Sequence, residues 1–199
     1  DRNYSLRGIA TRRAKMASFP VAQQDPLPLL PDSVRVAVRG WLNCNQVLLR
    51  SRHGHVLVDS GYHSCAEETL ARIRDPGLLG AEPLAALVNT HCHSDHVGGN
   101  AAIVARYGCP IAVPAGEAPL VERWDQKTLL YDYCDQEMER FGVDHALVPG
   151  STHVWGDLEW RALAAPGHDM GALVFHNPEP RILVSGDARR SSCQRPDRV

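Results

Sequence analysis

The chain has 199 residues, of which 44% are hydrophobic and 22% charged, the balance of a globular domain and not of a disordered polymer. Its 21 Lys and Arg against 23 Asp and Glu leave a net charge of −2, which provides no broad basic field for nucleic acid. No apolar run approaches the ~18 residues of a spanning helix, so no membrane partner is expected.

Residues 1–15 carry Arg2, Arg7, Arg12, Arg13 and Lys15 but no apolar core of a secretory signal, and Met16 is a plausible natural start. Residues 19–31 hold four prolines and favour extended backbone. Residues 1–32 are therefore expected to be an extended, disordered lead-in, with a single domain over residues 33–199. Six cysteines, Cys44, Cys65, Cys92, Cys109, Cys134 and Cys193, form no C-x-x-C pair and no compact framework. They read as free thiols in a reducing compartment, so a cytoplasmic location is expected.

From residue 33 the texture changes. Val34, Val36 and Val38 alternate with Arg35 and Ala37, the period of a half-buried strand. Residues 46–50 and 55–59 predict two further strands joined by a turn at Arg52, His53 and Gly54. Residues 67–74 have helical spacing and stop before Pro76 and Gly77. Residues 84–89 are a short apolar run suited to a buried parallel strand. Residues 100–107 predict an amphipathic helix that Gly108 ends, and residues 110–114 a brief strand. Residues 117–141 have helical spacing, residues 153–156 read as a turn, and residues 158–164, 172–176 and 181–185 as strands. Short strands bracketing a few helices imply a layered α/β fold.

The chemistry concentrates in Thr90-His91-Cys92-His93-Ser94-Asp95-His96-Val97-Gly98-Gly99-Asn100. Three histidines and an aspartate lie within six positions, directly after a buried strand. Imidazole and carboxylate are good zinc ligands, and loops at strand ends commonly supply them. On extended backbone, residues two apart project to one side. His91 and His93 can then share one metal, while Asp95 and His96 face an adjacent position as the chain turns into the next helix. Gly98 and Gly99 permit a tight turn there. Cys92, between the two ligands, points the other way and suits packing. His53, His55, His63 and His145 read as surface or turn residues. Trp124, Tyr131 and Tyr133 suit either a lid over the site or the core stripe of a helix.

This cluster resembles the H-x-H-x-D-H pattern of the metallo-β-lactamase superfamily, and its flanks resemble the glyoxalase II branch. Three more stretches fit in order. Val56-Leu57-Val58-Asp59-Ser60-Gly61 looks like the family's early strand, whose aspartate supports the metal loop. Ala165-Pro166-Gly167-His168 looks like its P-G-H, and Val184-Ser185-Gly186-Asp187 like its S-G-D. The resemblance implies an αββα sandwich, α+β in class. It also implies one metal on His91, His93 and His168 and a second on Asp95, His96 and Asp187. Such a site would hold one or two Zn²⁺, with Fe²⁺ as the other candidate.

The implied activity is metal-dependent hydrolysis of a small-molecule thioester, ester, lactone or lactam, with Asp95 also orienting the attacking water. The family takes one more second-metal histidine from well beyond S-G-D, whereas residues 188–199 contain none and show no strand or helix pattern. The sandwich is therefore expected to be incomplete at its C-terminal end, and the second metal to bind more weakly unless His153 or His176 substitutes. Ala172 stands where glyoxalase II has histidine, which weakens the case for a glutathione thioester. A metal-binding fragment with impaired catalysis and an iron-dependent persulfide dioxygenase are the competing readings. The flavodiiron branch fits less well, because it has glutamate where His93 stands. Nothing in the sequence bears on oligomeric state.

Overall fold

A computed structural model describes residues 30–40, 43–131 and 138–188. Two sheets organise them. The first has six strands in the order β1 (Val34–Ala37), β2 (Gln46–Leu49), β3 (His55–Val58), β4 (Leu84–Val88), β5 (Ile111–Pro114) and β6 (His145–Leu147). β1, β2 and β3 form an antiparallel meander, whereas β3 through β6 run parallel. The second sheet is antiparallel, in the order β10 (Ile182–Val184), β9 (Leu173–Asn177), β8 (Leu158–Ala164) and β7 (Thr152–Trp155).

Alternation along the strands divides the core in two. Leu48 and Leu57 pair across β2 and β3 and face the helices, with Leu87, Ile111 and Val113 beside them. Their sequence neighbours Leu49, Val56, Val58 and Val88 face the second sheet, where Trp160, Leu173 and Phe175 meet them. The helices α1 (Ala66–Ile73) and α3 (Asn100–Tyr107) cover the outer face through Leu70, Ile73 and Ile103. The layers are thus helices, parallel-rich sheet and antiparallel sheet. Gly108, at φ 64, ends α3 in left-handed backbone, the usual glycine stop.

Most strands and both longer helices lie within a residue or two of their expected bounds. Two expectations fail. Of residues 117–141, only α4 (Ala118–Glu122) is helical among those described. Trp124 and Leu130 adopt positive φ, at 56 and 61, which no right-handed helix tolerates. The intervening turns still carry Leu129 and Tyr131 into the core. Residues 153–156 lie mostly in a strand and not in a turn. The turn sits one step later, where Gly156 and Asp157 both have positive φ and join β7 to β8 as a tight hairpin. The strand β6 escapes sequence reading because two of its three residues are exposed. The expected lead-in through residue 29, Tyr133, Cys134 and residues 189–199 lie outside the described residues. Among the described residues no helix is long and apolar enough to cross a membrane.

The parallel strands β3, β4 and β5 end at one edge, where open α/β sheets place their ligand crevices. The loop between β8 and β9 and the end of β10 reach the same edge from the other sheet.

The two-sided core gives a direct test. Phe175 is fully buried between the sheets, whereas Leu183 is 51% exposed. Phe175→Ala should cost about 3–5 kcal/mol and Leu183→Ala about 0.5–1 kcal/mol, read as shifts of the urea midpoint at constant slope.

Candidate metal centre

Asp59 follows β3 in left-handed backbone, at φ 62, a conformation that aspartate tolerates better than most residues. Its carboxylate is 3% exposed as part of the residue and fully engaged. Oδ1 accepts the Thr90 N–H at 2.9 Å, and Oδ2 accepts the Thr90 hydroxyl and the His96 Nδ1–H, each at 2.9 Å. One buried side chain thus holds the start of the His91 loop and the short helix α2 (Ser94–Val97).

A polar frame locks the rest of the loop. Asn100 donates to Asn89 at 2.9 Å, Asn89 donates to the His96 carbonyl at 3.1 Å, and Ser60 donates to Asn100 at 2.7 Å. Gly98 is there of necessity: a Cβ would drive into the His63 amide and the Ser94 carbonyl.

Two groups of ligand atoms result. Those of His91, His93 and His168 lie within 4.8 Å of one another, as do those of Asp95, His96 and Asp187. His93 Nδ1 is 3.0 Å from His168 Nε2. Asp187 lies between the groups, 3.6 Å from His96 Nε2 through one oxygen and 3.6 Å from His168 Nε2 through the other. The structure therefore brings together all six residues singled out in the sequence. His153 and His176 stand apart: His153 contacts Ser151 and stacks on Trp155, and His176 pairs with Arg161 and Leu183 across its strand neighbours.

The ring nitrogens test whether a metal fits. The Thr90 hydroxyl donates to Asp59, so it accepts from His91 Nδ1, 3.2 Å away. His96 Nδ1 is likewise spent on Asp59. The Nε2 atoms of both rings are left buried without any hydrogen-bond partner, a costly state for a polar atom that a metal ion would relieve. Burial, then the neighbouring His96, His93 and His168, lowers the His91 pKa to about 2, so its ring is neutral and its lone pair available. Burial also opposes charge on His96, but Asp59, Asp187 and Asp95 outweigh it and raise its pKa to about 10. These residues could hold two cations side by side.

Two acidic residues at the site carried no signal in the sequence. Asp169 Oδ2 lies 3.4 Å from His93 Nε2, and Oδ1 accepts the Gly171 N–H at 2.6 Å. Glu117, at the start of α4, is 1% exposed and accepts the Cys92 N–H. Cys92 itself packs in the core, and Tyr131 donates to its carbonyl at 2.9 Å. Tyr131 is fully buried against Trp124, as part of the core and not as a lid. A cavity of about 410 Å³ opens beside His96 and Asp187, walled by Val34, Val47 and Ile182.

A family profile described as the metallo-beta-lactamase superfamily matches residues 39–199. The chain belongs to the metallo-β-lactamase superfamily. Among curated members, the hydroxyacylglutathione hydrolase of Hyphomonas neptunium is 33% identical over 50% of this chain and 32% of its own length. The Bacillus subtilis protein named "Probable metallo-hydrolase YybB" is 31% identical over 77% of this chain and 63% of its own. The chain therefore spans less than two thirds of either relative. A subclass B3 metallo-beta-lactamase of Bradyrhizobium japonicum shares the fold at a TM-score of 0.64, with 24% identity over 75% of this chain and 55% of that enzyme.

In this superfamily member the Asp59 charge should matter apart from any metal. Asp59→Asn keeps the backbone but exchanges one acceptor for an amide facing Thr90 and His96. Hydrogen bonds to charged groups contribute about 1.5–3 kcal/mol, so the chelator-treated variant should lose about that much stability in urea. An unchanged midpoint would show that shape alone holds the loop.

Proposed function

We propose that this centre hydrolyses a small-molecule thioester, ester, lactone or lactam, with zinc on one or both ligand groups. The observation that carries the reading is the pair of adjacent groups, with Asp187 of the second 3.6 Å from His168 of the first and the Nε2 atoms of His91 and His96 buried without a hydrogen bond. His91, His93 and His168 would hold one ion and leave a coordination position open, as catalytic sites require. Asp95, His96 and Asp187 would hold the other. Zinc bound there supplies a Lewis acid and a water whose pKa falls toward ~7.

The chain's own residues account for the remaining chemistry. A carboxylate oxygen of Asp95 orients the attacking water and takes its proton. The water oxygen bonds to the carbonyl carbon, the bond to sulfur, oxygen or nitrogen breaks, and that proton passes to the leaving group. The cavity beside His96 and Asp187 is lined by both polar and apolar side chains, which suits a small substrate with an apolar portion. The described cysteines Cys44, Cys65, Cys92 and Cys109 are free, which supports a reducing, cytoplasmic setting.

Metal analysis tests the binding half of the reading. The purified chain should retain a transition metal, and His91→Ala and His168→Ala should each lose most of it; equal, negligible metal in all three would sink the reading. A panel of thioester, lactone and β-lactam substrates tests the chemistry. Asp95→Asn should lower kcat on the best of them by about 10²–10⁴-fold, the usual contribution of a positioned acid–base group. A metal-loaded chain inert across the panel would leave a binding protein and no hydrolase.

A further inference from the structure

We propose that Glu117 is a positioning residue of the metal centre, tying the loop that carries His91 and His93 to the loop that carries His168. The inference rests on reading those three histidines as metal ligands.

A carboxyl group 1% exposed is costly unless its oxygens are engaged. Among the described residues no Lys or Arg is paired with it. One oxygen, Oε2, accepts the N–H of Cys92, the peptide between the two ligands of the H-x-H turn. Fixing that amide fixes the backbone from which both imidazoles project. The other end of the carboxyl meets the loop from the second sheet. A Cβ on Gly171 would lie 2.6 Å from Glu117 Cγ and 2.9 Å from Oε1, so this loop is pressed onto the acid with no room for a side chain.

Within that loop Asp169 completes the link. Its Oδ1 holds the Gly171 N–H at 2.6 Å, and its Oδ2 faces His93 Nε2 at 3.4 Å. That contact turns His93 Nδ1 toward His168, as a carboxylate behind a metal-binding imidazole does. Glu117 Oε1 is buried without a donor, and the Glu117 and Asp169 carboxyl groups interact side chain to side chain. Oε1 is satisfied if it carries the proton and donates to Asp169. In agreement, burial and then Asp169 raise the Glu117 pKa to about 8. The path is continuous from the Cys92 amide through Glu117 and Asp169 to His93, and it spans three separate chain segments.

The link predicts what each substitution does to metal affinity. Residues behind the ligands typically contribute about 10–100-fold. The full chain would be loaded with Co²⁺, with affinity read by chelator competition and ligand geometry by the visible cobalt absorption. Glu117→Met keeps the volume and removes both polar contacts, and it should weaken Co²⁺ binding by about 10–100-fold. Glu117→Gln keeps an acceptor for Cys92 and a donor for Asp169, and it should restore affinity and the wild-type spectrum. Asp169→Ala should weaken binding, and the Glu117→Met, Asp169→Ala double variant should be no weaker than the poorer single one, because both cut one path.

Wild-type affinity in Glu117→Met, a Gln variant as weak as Met, or independent losses that multiply in the double variant would each overturn the proposal. If Glu117→Met fails to fold without metal, the Gln variant and Asp169→Ala decide alone: Gln must match wild type and Asp169→Ala must not. A wild-type chain that takes up no Co²⁺ would instead overturn the reading of the three histidines.

Discussion

The centre depends first on one buried carboxylate. Asp59 accepts from the Thr90 amide, the Thr90 hydroxyl and His96 Nδ1, and these contacts join the end of β3 to the segment leaving β4. Both strands are parallel neighbours, so their ends emerge side by side and a single side chain can bridge them. The price of burying this charge is met by three donors that then have no freedom to turn elsewhere. The Nδ1 atoms of His91 and His96 are thereby engaged, while their Nε2 atoms stay buried without a hydrogen bond. An apolar residue at position 59 would leave all three donors without this acceptor.

Much of the architecture was legible from period and motif. Leu48 and Leu49, or Val56, Leu57 and Val58, read as alternating faces, and the two core clusters divide them as alternation requires. The ordered H-x-H-x-D-H, P-G-H and S-G-D stretches identify side chains that meet in space although His93 and His168 are 75 residues apart. Residues 124–131 misled because left-handed turns at Trp124 and Leu130 deliver Leu129 and Tyr131 inward at a spacing that mimics a helix. Glu117 and Asp169 were invisible for a different reason. A single acid in a loop has no pattern, and its meaning comes only from the neighbours that folding supplies.

The two candidate ligand groups differ in character although Asp187 lies between them. The first is made of three imidazoles, and His91 is held neutral by burial and by its own companions. The second combines one histidine with two carboxylates. Imidazole suits zinc, copper, iron and nickel, whereas carboxylate also accommodates harder cations. The first group thus offers nitrogen donors and the second adds negative charge, and the two oxygens of Asp187 face one histidine of each group.

The candidate ligands are also divided between the sheets. His91, His93, Asp95 and His96 follow β4 of the first, while His168 and Asp187 come from the β8–β9 loop and the end of β10 of the second. The interior between them is apolar and holds by area, a force without direction. An ion gripped from both sides would act as a clasp, closing chain loops far longer than any hairpin. Because closure entropy grows with loop length, although slowly, such a clasp removes somewhat more freedom from the unfolded chain than a short-range link. Chemistry and mechanical integrity would then share the same few atoms at the seam of the two sheets.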